Sequence, residues 1–355
     1  MMPTLCSVLR RWRAAVLGLL ARCRARAWAG DLVVERAWLE DPGGQLSWEE
    51  VQQRPMMPLQ GVLSRGYGQA PLWMRLRIDP SAQDLGDDRR LYLRIRPMYL
   101  DEIVLFDPLQ QPARQPPVGD RYPVSAQAEP ATTFLLELPI GQGPRDVWLR
   151  VQTTSTRLIY ADVFTPADLR RVDALINHLG ALYLGLIVMF FLWGLLQLLM
   201  RPEPLMFSFL LYQGSWLLMG TSFLGYPYLY LSNRLPPGVV DQATNIAIVF
   251  SSASALLFSH FVLNELGSAR WRRNVLTLII IIIFSLLVAA LGGYASTALK
   301  LNMLLVLLVP PTMWALAVMS KPAAHWYRSL QGQVLSKAVV VGYFSMLVVF
   351  TVLTA

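Results

Sequence analysis

The sequence predicts two parts of different architecture: an exported all-β domain of the β-sandwich type, followed by an α-helical transmembrane bundle. Three observations predict it. Hydrophobic residues make up 54% of the 355-residue chain and charged residues only 15%, an apolar excess over the balance of a soluble domain. The charges are unevenly placed, since residues 171–355 hold 10 Lys and Arg and 4 Asp and Glu, whereas residues 1–170 hold 21 and 19. Finally, apolar segments before residue 165 are short and punctuated by turn clusters, whereas those after residue 178 run for about 20 residues with almost no charge.

Residues 1–29 carry six Arg and no acidic residue. Arg10, Arg11 and Arg13 precede a short apolar run, Ala14 to Ala21, and then the small-residue pattern Ala27-Trp28-Ala29. That is the layout of a secretory signal peptide cleaved before Gly30. Arg22, Arg24 and Arg26 lie where such a peptide prefers neutral residues and fit an uncleaved anchor, so the stretch is expected to be one or the other. Both cysteines of the chain, Cys6 and Cys23, fall here. The exported domain is therefore expected to hold together by its core, without a disulfide.

Residues 31–165 contain seven segments that read as strands: Leu32 to Trp38, Leu72 to Ile78, Leu91 to Ile95, Ile103 to Phe106, Phe134 to Ile140, Val147 to Val151 and Leu158 to Phe164. Asp41-Pro42-Gly43-Gly44, Asp79-Pro80-Ser81 and the Pro/Gly-rich stretch 115–120 separate them as turns, and a helical period shows only near Ser47 to Val51. Short strands between turns, with so little helix, predict a sandwich. Strand periodicity places Trp73, Arg75 and Arg77 on one face of their strand, Tyr92, Arg94 and Arg96 on one face of theirs, and Trp148, Arg150 and Gln152 likewise. Aromatic faces stack on sugar rings and guanidinium groups bind hydroxyls or carboxylates, so Trp73, Arg75, Tyr92, Arg94, Arg96, Trp148 and Arg150 are candidate ligand-binding residues for a glycan, above all an acidic one. The competing reading is an ordinary solvated face on which Arg side chains lie over rings and neutralise neighbouring Asp.

The same stretch resembles a known family, the periplasmic sensor domain of bacterial seven-transmembrane receptors with diverse intracellular signalling modules. The resemblance rests on Trp38-Leu39-Glu40-Asp41-Pro42 with Gln45-Leu46-Ser47, on Gly66-Tyr67-Gly68 with Pro71 to Leu76, on Leu100-Asp101-Glu102-Ile103-Val104-Leu105-Phe106, on Gly119-Asp120 and on Leu149 to Thr153. It spans nearly all of residues 33–168 and is carried by the order of the motifs. It implies a jelly-roll fold similar to carbohydrate-binding modules, then a seven-helix membrane module, then a cytoplasmic histidine kinase or diguanylate cyclase. Ser125-Ala126-Gln127-Ala128-Glu129-Pro130 departs from the basic, aromatic run that the family carries after Gly119-Asp120.

Beyond a linker at 166–177, residues 178–355 are expected to form a membrane module with six crossings, at about 178–200, 205–231, 239–263, 275–294, 299–319 and 335–355, each near the roughly 20 residues a bilayer requires. With residues 31–165 outside, the cytoplasmic side receives Arg201, Arg270, Arg272, Arg273, Lys321, Arg328 and Lys337, and the outer side only Arg234 and Lys300. This is the positive-inside bias, obtained without the leader. The expected location is a bacterial inner membrane with the sensor domain in the periplasm. Ala355 lies within apolar sequence, so a seventh helix and an output domain are expected beyond it.

The net charge of +8 divides into +6 for residues 1–29, −4 for 30–170 and +6 for 171–355, which follows membrane topology and argues against a nucleic-acid partner. No Gly-x-Ser-x-Gly, His-Glu-x-x-His or phosphate loop is present, and His178, His260 and His325 lack metal-ligand spacing, so the chain is expected to be no enzyme and to carry no cofactor or metal. Gln197, Gln213, Asn245, His260 and Asn302 are expected to hydrogen-bond between helices, because no acidic residue lies deep in a crossing to serve a transport path. The expectation is thus the input half of a signalling receptor, with the bilayer, a periplasmic ligand and a homodimer or sensor kinase as partners. The alternative is a transporter or a membrane-anchored glycan-binding protein.

Overall fold

The computed structural model describes residues 30–82, 90–127, 129–236, 238–265, 270–294 and 297–307. The leader, most of the fifth expected crossing and all of the sixth lie outside the described residues. The chain divides into two compact units, 1–179 and 180–355.

Among the described residues, the first unit holds nine strands in two antiparallel sheets. β1 (Val33–Glu40), β2 (Met57–Leu59), β4 (Leu72–Ile78), β6 (Glu102–Phe106) and β8 (Arg145–Gln152) form one in the order β2-β1-β4-β8-β6. β3 (Leu63–Tyr67), β5 (Arg90–Arg96), β7 (Phe134–Pro139) and β9 (Thr156–Phe164) form the other in the order β3-β9-β5-β7. The expected β-sandwich is present, and all seven expected strands lie within it.

Alternation decides which side of each strand is core. In β4, Leu72, Met74, Leu76 and Ile78 are buried, and they pair with Val151, Leu149, Val147 and Arg145 of β8. In β5, Leu91, Leu93 and Ile95 are buried against Leu138, Leu136 and Phe134 of β7, with Val163 and Ala161 of β9 on the other side. β2 and β3 carry no apolar alternation. Both are edge strands, where Pro58 and Gly66 are tolerated, and sequence periodicity therefore misses them.

The predicted helical turn is α1 (Trp48–Gln52), started by a capping box in which Ser47 and Glu50 satisfy each other's backbone N–H. Its Val51 is fully buried. The stretch 166–177, expected as a linker, is instead the opening of α2 (Pro166–Met200), one uninterrupted helix of 35 residues. Thr165 starts it directly at the end of β9: its hydroxyl accepts the Asp168 N–H at 3.2 Å, and Pro166 fits the first turn.

The second unit contains the rest of α2 with α3 (Pro204–Phe223), α4 (Tyr226–Leu231), α5 (Val239–Glu265), α6 (Arg270–Leu291) and α7 (Thr297–Leu307). Three helices among the described residues are long and apolar enough to cross a membrane: Pro166–Met200, Val239–Val262 and Asn274–Leu291. The segment expected as one crossing over 205–231 breaks at Gly225, whose φ of +79° is left-handed backbone that glycine adopts without a side-chain clash. α3 and α5 pack through Ser215 and Ser254, whose hydroxyls lie 2.5 Å apart, and through Tyr212 stacked on Phe258. Asn245, expected to bond between helices, donates to Asp241 one turn earlier in its own helix.

Candidate functional site

The seven candidate residues do not share one surface. Trp73, Arg75, Trp148 and Arg150 lie side by side on the outer face of the five-stranded sheet, with Trp73 paired to Arg150 and Arg75 to Trp148 across β4 and β8. Tyr92, Arg94 and Arg96 lie on β5, on the outer face of the other sheet. Each face is covered differently.

On the five-stranded sheet, α1 and its flanking loop lie over the aromatic residues. Val51, Trp73, Val104, Phe106 and Trp148 form a small second core, with Leu39, Leu46, Trp48 and Met56 packed against it. Trp73 is 1% exposed, its ring 5.3 Å from Phe106, which in turn stacks on Trp48. The Asp41 carboxylate fixes the loop by accepting the Gly44 and Leu46 N–H groups. The indole N–H groups of Trp48 and Trp73 are buried without an acceptor among the described residues. Arg75 and Arg77 reach Asp146 at 3.9 and 4.0 Å, and Arg150 reaches Glu102 at 3.4 Å, so the charged rim is paired and partly solvated. On this face the guanidinium groups pair with neighbouring carboxylates, as the solvated-face reading expects, whereas the Trp73 and Trp148 rings are buried, which neither reading expects.

On the four-stranded sheet, the covering element is α2. Leu169, in its first turn, is buried with Tyr92, Leu135 and Phe164, and Val172 packs against the same group. Beside this contact lies a charge network. Arg94, only 2% exposed, donates to Asp173 of α2 at 2.8 Å and to Asp162 of β9 at 3.3 Å, with its guanidinium 5.0 Å from the centre of the Phe164 ring. Arg96 reaches Asp162 at 3.4 Å and lies 4.4 Å over the Tyr160 ring. Arg36 of β1 pairs with Asp31, donates to the Ala161 carbonyl and reaches Asp162 at 3.5 Å. Three cations thus face three carboxylates, and their charges balance.

Burial, and then the neighbouring Asp31 carboxylate, push the Asp162 carboxyl above its ordinary value, against the opposing pull of Arg94, Arg96 and Arg36. Burial lowers the Arg96 guanidinium, with Arg94 adding like-charge repulsion. The Tyr92 hydroxyl donates to Glu129 at 2.7 Å, and that bond raises it.

Sequence reasoning found Arg94 and Arg96 but not Asp162, Asp173 or Leu169. A signal for Asp162 was present, a lone carboxylate in the middle of an apolar strand between Ala161 and Val163. Such a charge requires a partner. Among the described residues, no group of three or more His, Cys, Asp or Glu is placed to hold a metal ion.

A β-sandwich at the N-terminal side, continuous through one helix with an apolar span, is the organisation of a membrane protein with an exported sensor domain. Comparison with known families gives the same result: residues 35–165 match the model of the family described as 7TMR-DISM extracellular 2, in agreement with the resemblance read from the sequence. No curated protein matches the chain.

Proposed function

We propose that the chain is the sensory half of a receptor of the bacterial inner membrane. An extracytoplasmic ligand binds the β-sandwich, and the helix bundle passes the change to a cytoplasmic effector, a histidine kinase or a diguanylate cyclase. One observation carries this reading. α2 is buried against the sandwich at Leu169 and continues without interruption to Met200, so a change in the sheet has a mechanical route toward the bilayer. An anchor that only tethers needs no such contact.

For the ligand we propose a carbohydrate on the outer face of the five-stranded sheet. Trp73 and Trp148 supply stacking surface there, Arg75 and Arg150 supply donors, and the indole N–H groups of Trp48 and Trp73 supply two more. Access requires α1 to lift from Trp73. The three β5 residues are left out of this site, because α2 and the charge network occupy their face.

The test is a thermal-shift screen of acidic and neutral oligosaccharides on the full chain in lipid nanodiscs, followed by amide exchange on any sugar that binds. The receptor reading expects a sugar that alters exchange both in 47–53 and in 166–173. Binding with α2 unchanged supports the passive anchor, and uptake of the sugar into proteoliposomes supports the transporter; either overturns the proposal.

A further inference from the structure

We infer that a signal peptidase cuts the chain between Ala29 and Gly30, and that the amino group released on Gly30 pairs with Asp168 and holds the start of α2 to the sandwich. Hydrolysis of that amide consumes one water and leaves a carboxylate on Ala29 and, at neutral pH, an ammonium on Gly30. Ala27 and Ala29 supply the small residues that such a peptidase accepts. The geometry of Gly30 gives the new terminus its partner.

The residues that follow the cut are fixed beside the end of β9. Leu32 donates to the Val163 carbonyl at 2.9 Å and accepts the Asp79 N–H at 3.0 Å. The Asp31 carboxylate accepts the Val33 and Val163 N–H groups at 3.1 and 3.0 Å and pairs with Arg36. β9 passes into α2 at Thr165, and Gly30, itself buried, lies against the first turn of that helix. The point that a Cβ would occupy on Gly30 is 3.1 Å from both Cγ and Oδ2 of Asp168 and 3.4 Å from its Cβ. Glycine carries only hydrogen there. Once the bond to Ala29 is cut, rotation about the Gly30 Cα–C bond swings the nitrogen into that point, because an N–Cα bond is nearly as long as a Cα–Cβ bond. The ammonium then stands within ion-pair distance of Oδ2. Before the cut, the same nitrogen is an uncharged amide held in a planar bond, and no such pair forms.

Asp168 is suited to this partner. Its Oδ1 accepts from Arg171 and its Oδ2 from the Thr165 hydroxyl, each at 3.3 Å. Arg171 is 80% exposed, so that pair is weak, whereas Gly30 is buried. The N–H groups of the first helical turn repel a lone cation, so the ammonium depends on the Asp168 carboxylate. Processing thereby adds an attachment of α2, next to the apolar contact at Leu169, that only the exported and cut chain makes.

The experiment begins with N-terminal sequencing of the chain recovered from bacterial membranes, which is expected to start at Gly30. In nanodiscs at neutral pH, an amine-reactive ester then labels the Gly30 amino group, with the terminal peptide read by mass spectrometry. Asp168→Asn is expected to speed this labelling about three-fold or more, because the ammonium loses the carboxylate that keeps it protonated, with amide exchange in β4 and β8 unchanged. A second variant leaves Asp168 intact and blocks the cut, through Ala27→Leu together with Ala29→Leu. Its amides at 166–173 are expected to exchange about two- to five-fold faster than those of the cut chain. A chain that keeps residues 1–29, or starts elsewhere than Gly30, overturns the inference. So does a labelling rate that Asp168→Asn leaves unchanged, or exchange at 166–173 that is the same in cut and uncut chains. If Asp168→Asn loosens β4 and β8 as well, the uncut variant alone decides by the same criterion. No ligand enters these measurements, so they can fail while the receptor reading stands.

Discussion

Leu169→Ala is the perturbation that separates attachment of α2 from stability of the sandwich. Leu169 is 5% exposed and packs on Tyr92, Leu135 and Phe164, contacts made across the sheet surface and outside the inter-sheet core. Buried Leu→Ala changes cost about 2–5 kcal/mol, least where the surroundings can close the gap. Here α2 can settle onto the sheet, with Ala131 and Val172 at the margin, which places the cost at about 2–3 kcal/mol. At about 1.4 kcal/mol per factor of ten, local opening of the helix start rises about 30- to 150-fold. Amide exchange of residues 166–173 in the full chain reads this directly, and the amides of β4 and β8 serve as internal reference. An equal rise in those strands would refute the reasoning, because Leu169 would then belong to the core of the sandwich; so would an unchanged helix.

Other expectations follow from the same geometry. Trp73→Ala removes a fully buried ring from the cluster beneath α1 and is expected to cost the sandwich about 3–5 kcal/mol, whereas Arg150→Ala removes a partly solvated pair with Glu102 and is expected to cost less than about 1 kcal/mol; denaturant midpoints of the full chain followed by tryptophan fluorescence check the ranking. Asp162 has a raised value in the folded state, set by its burial and by Asp31 against Arg36, Arg94 and Arg96, with Tyr160 beside it. A carboxyl raised on folding contributes stability that is fully present below its unfolded value and is lost as pH rises through the folded one. Acidification from neutrality through the range just above the ordinary carboxylate value is therefore expected to add stability from this group. The gain should vanish in Asp162→Asn when the two proteins' stabilities are compared across that range.

The fold was legible because its signals are local. Leu72 to Ile78 or Leu91 to Ile95 alternate so regularly that the strand and its buried side follow from the sequence. The short strands at 57–59 and 63–67 were not legible, since three and five residues that include Pro58 and Gly66 are too few to show an apolar alternation. The candidate site was half legible. Alternation put Trp73 with Arg75 and Tyr92 with Arg94 correctly within each strand, but nothing in the sequence told which strands are neighbours, and the seven residues divide between two sheets. Nor did it show that Trp48 and Val51 would lie over Trp73, or that residues 166–173 would be helical and lie over Arg94, because these contacts join elements distant in the chain.

The claim on which the rest depends is that the sandwich is exported and that α2 runs from it inward across the bilayer. Cys6 and Cys23 are the only cysteines, so a background with both replaced by Ser gives a chain to which single reporters can be added. One goes at Glu49, exposed on α1, and the other at Arg201, just beyond the last turn of α2. A membrane-impermeant maleimide applied to intact spheroplasts is predicted to label Glu49→Cys at once and Arg201→Cys only after the membrane is permeabilised. Labelling of Arg201→Cys in intact spheroplasts, with Glu49→Cys protected, would contradict the account.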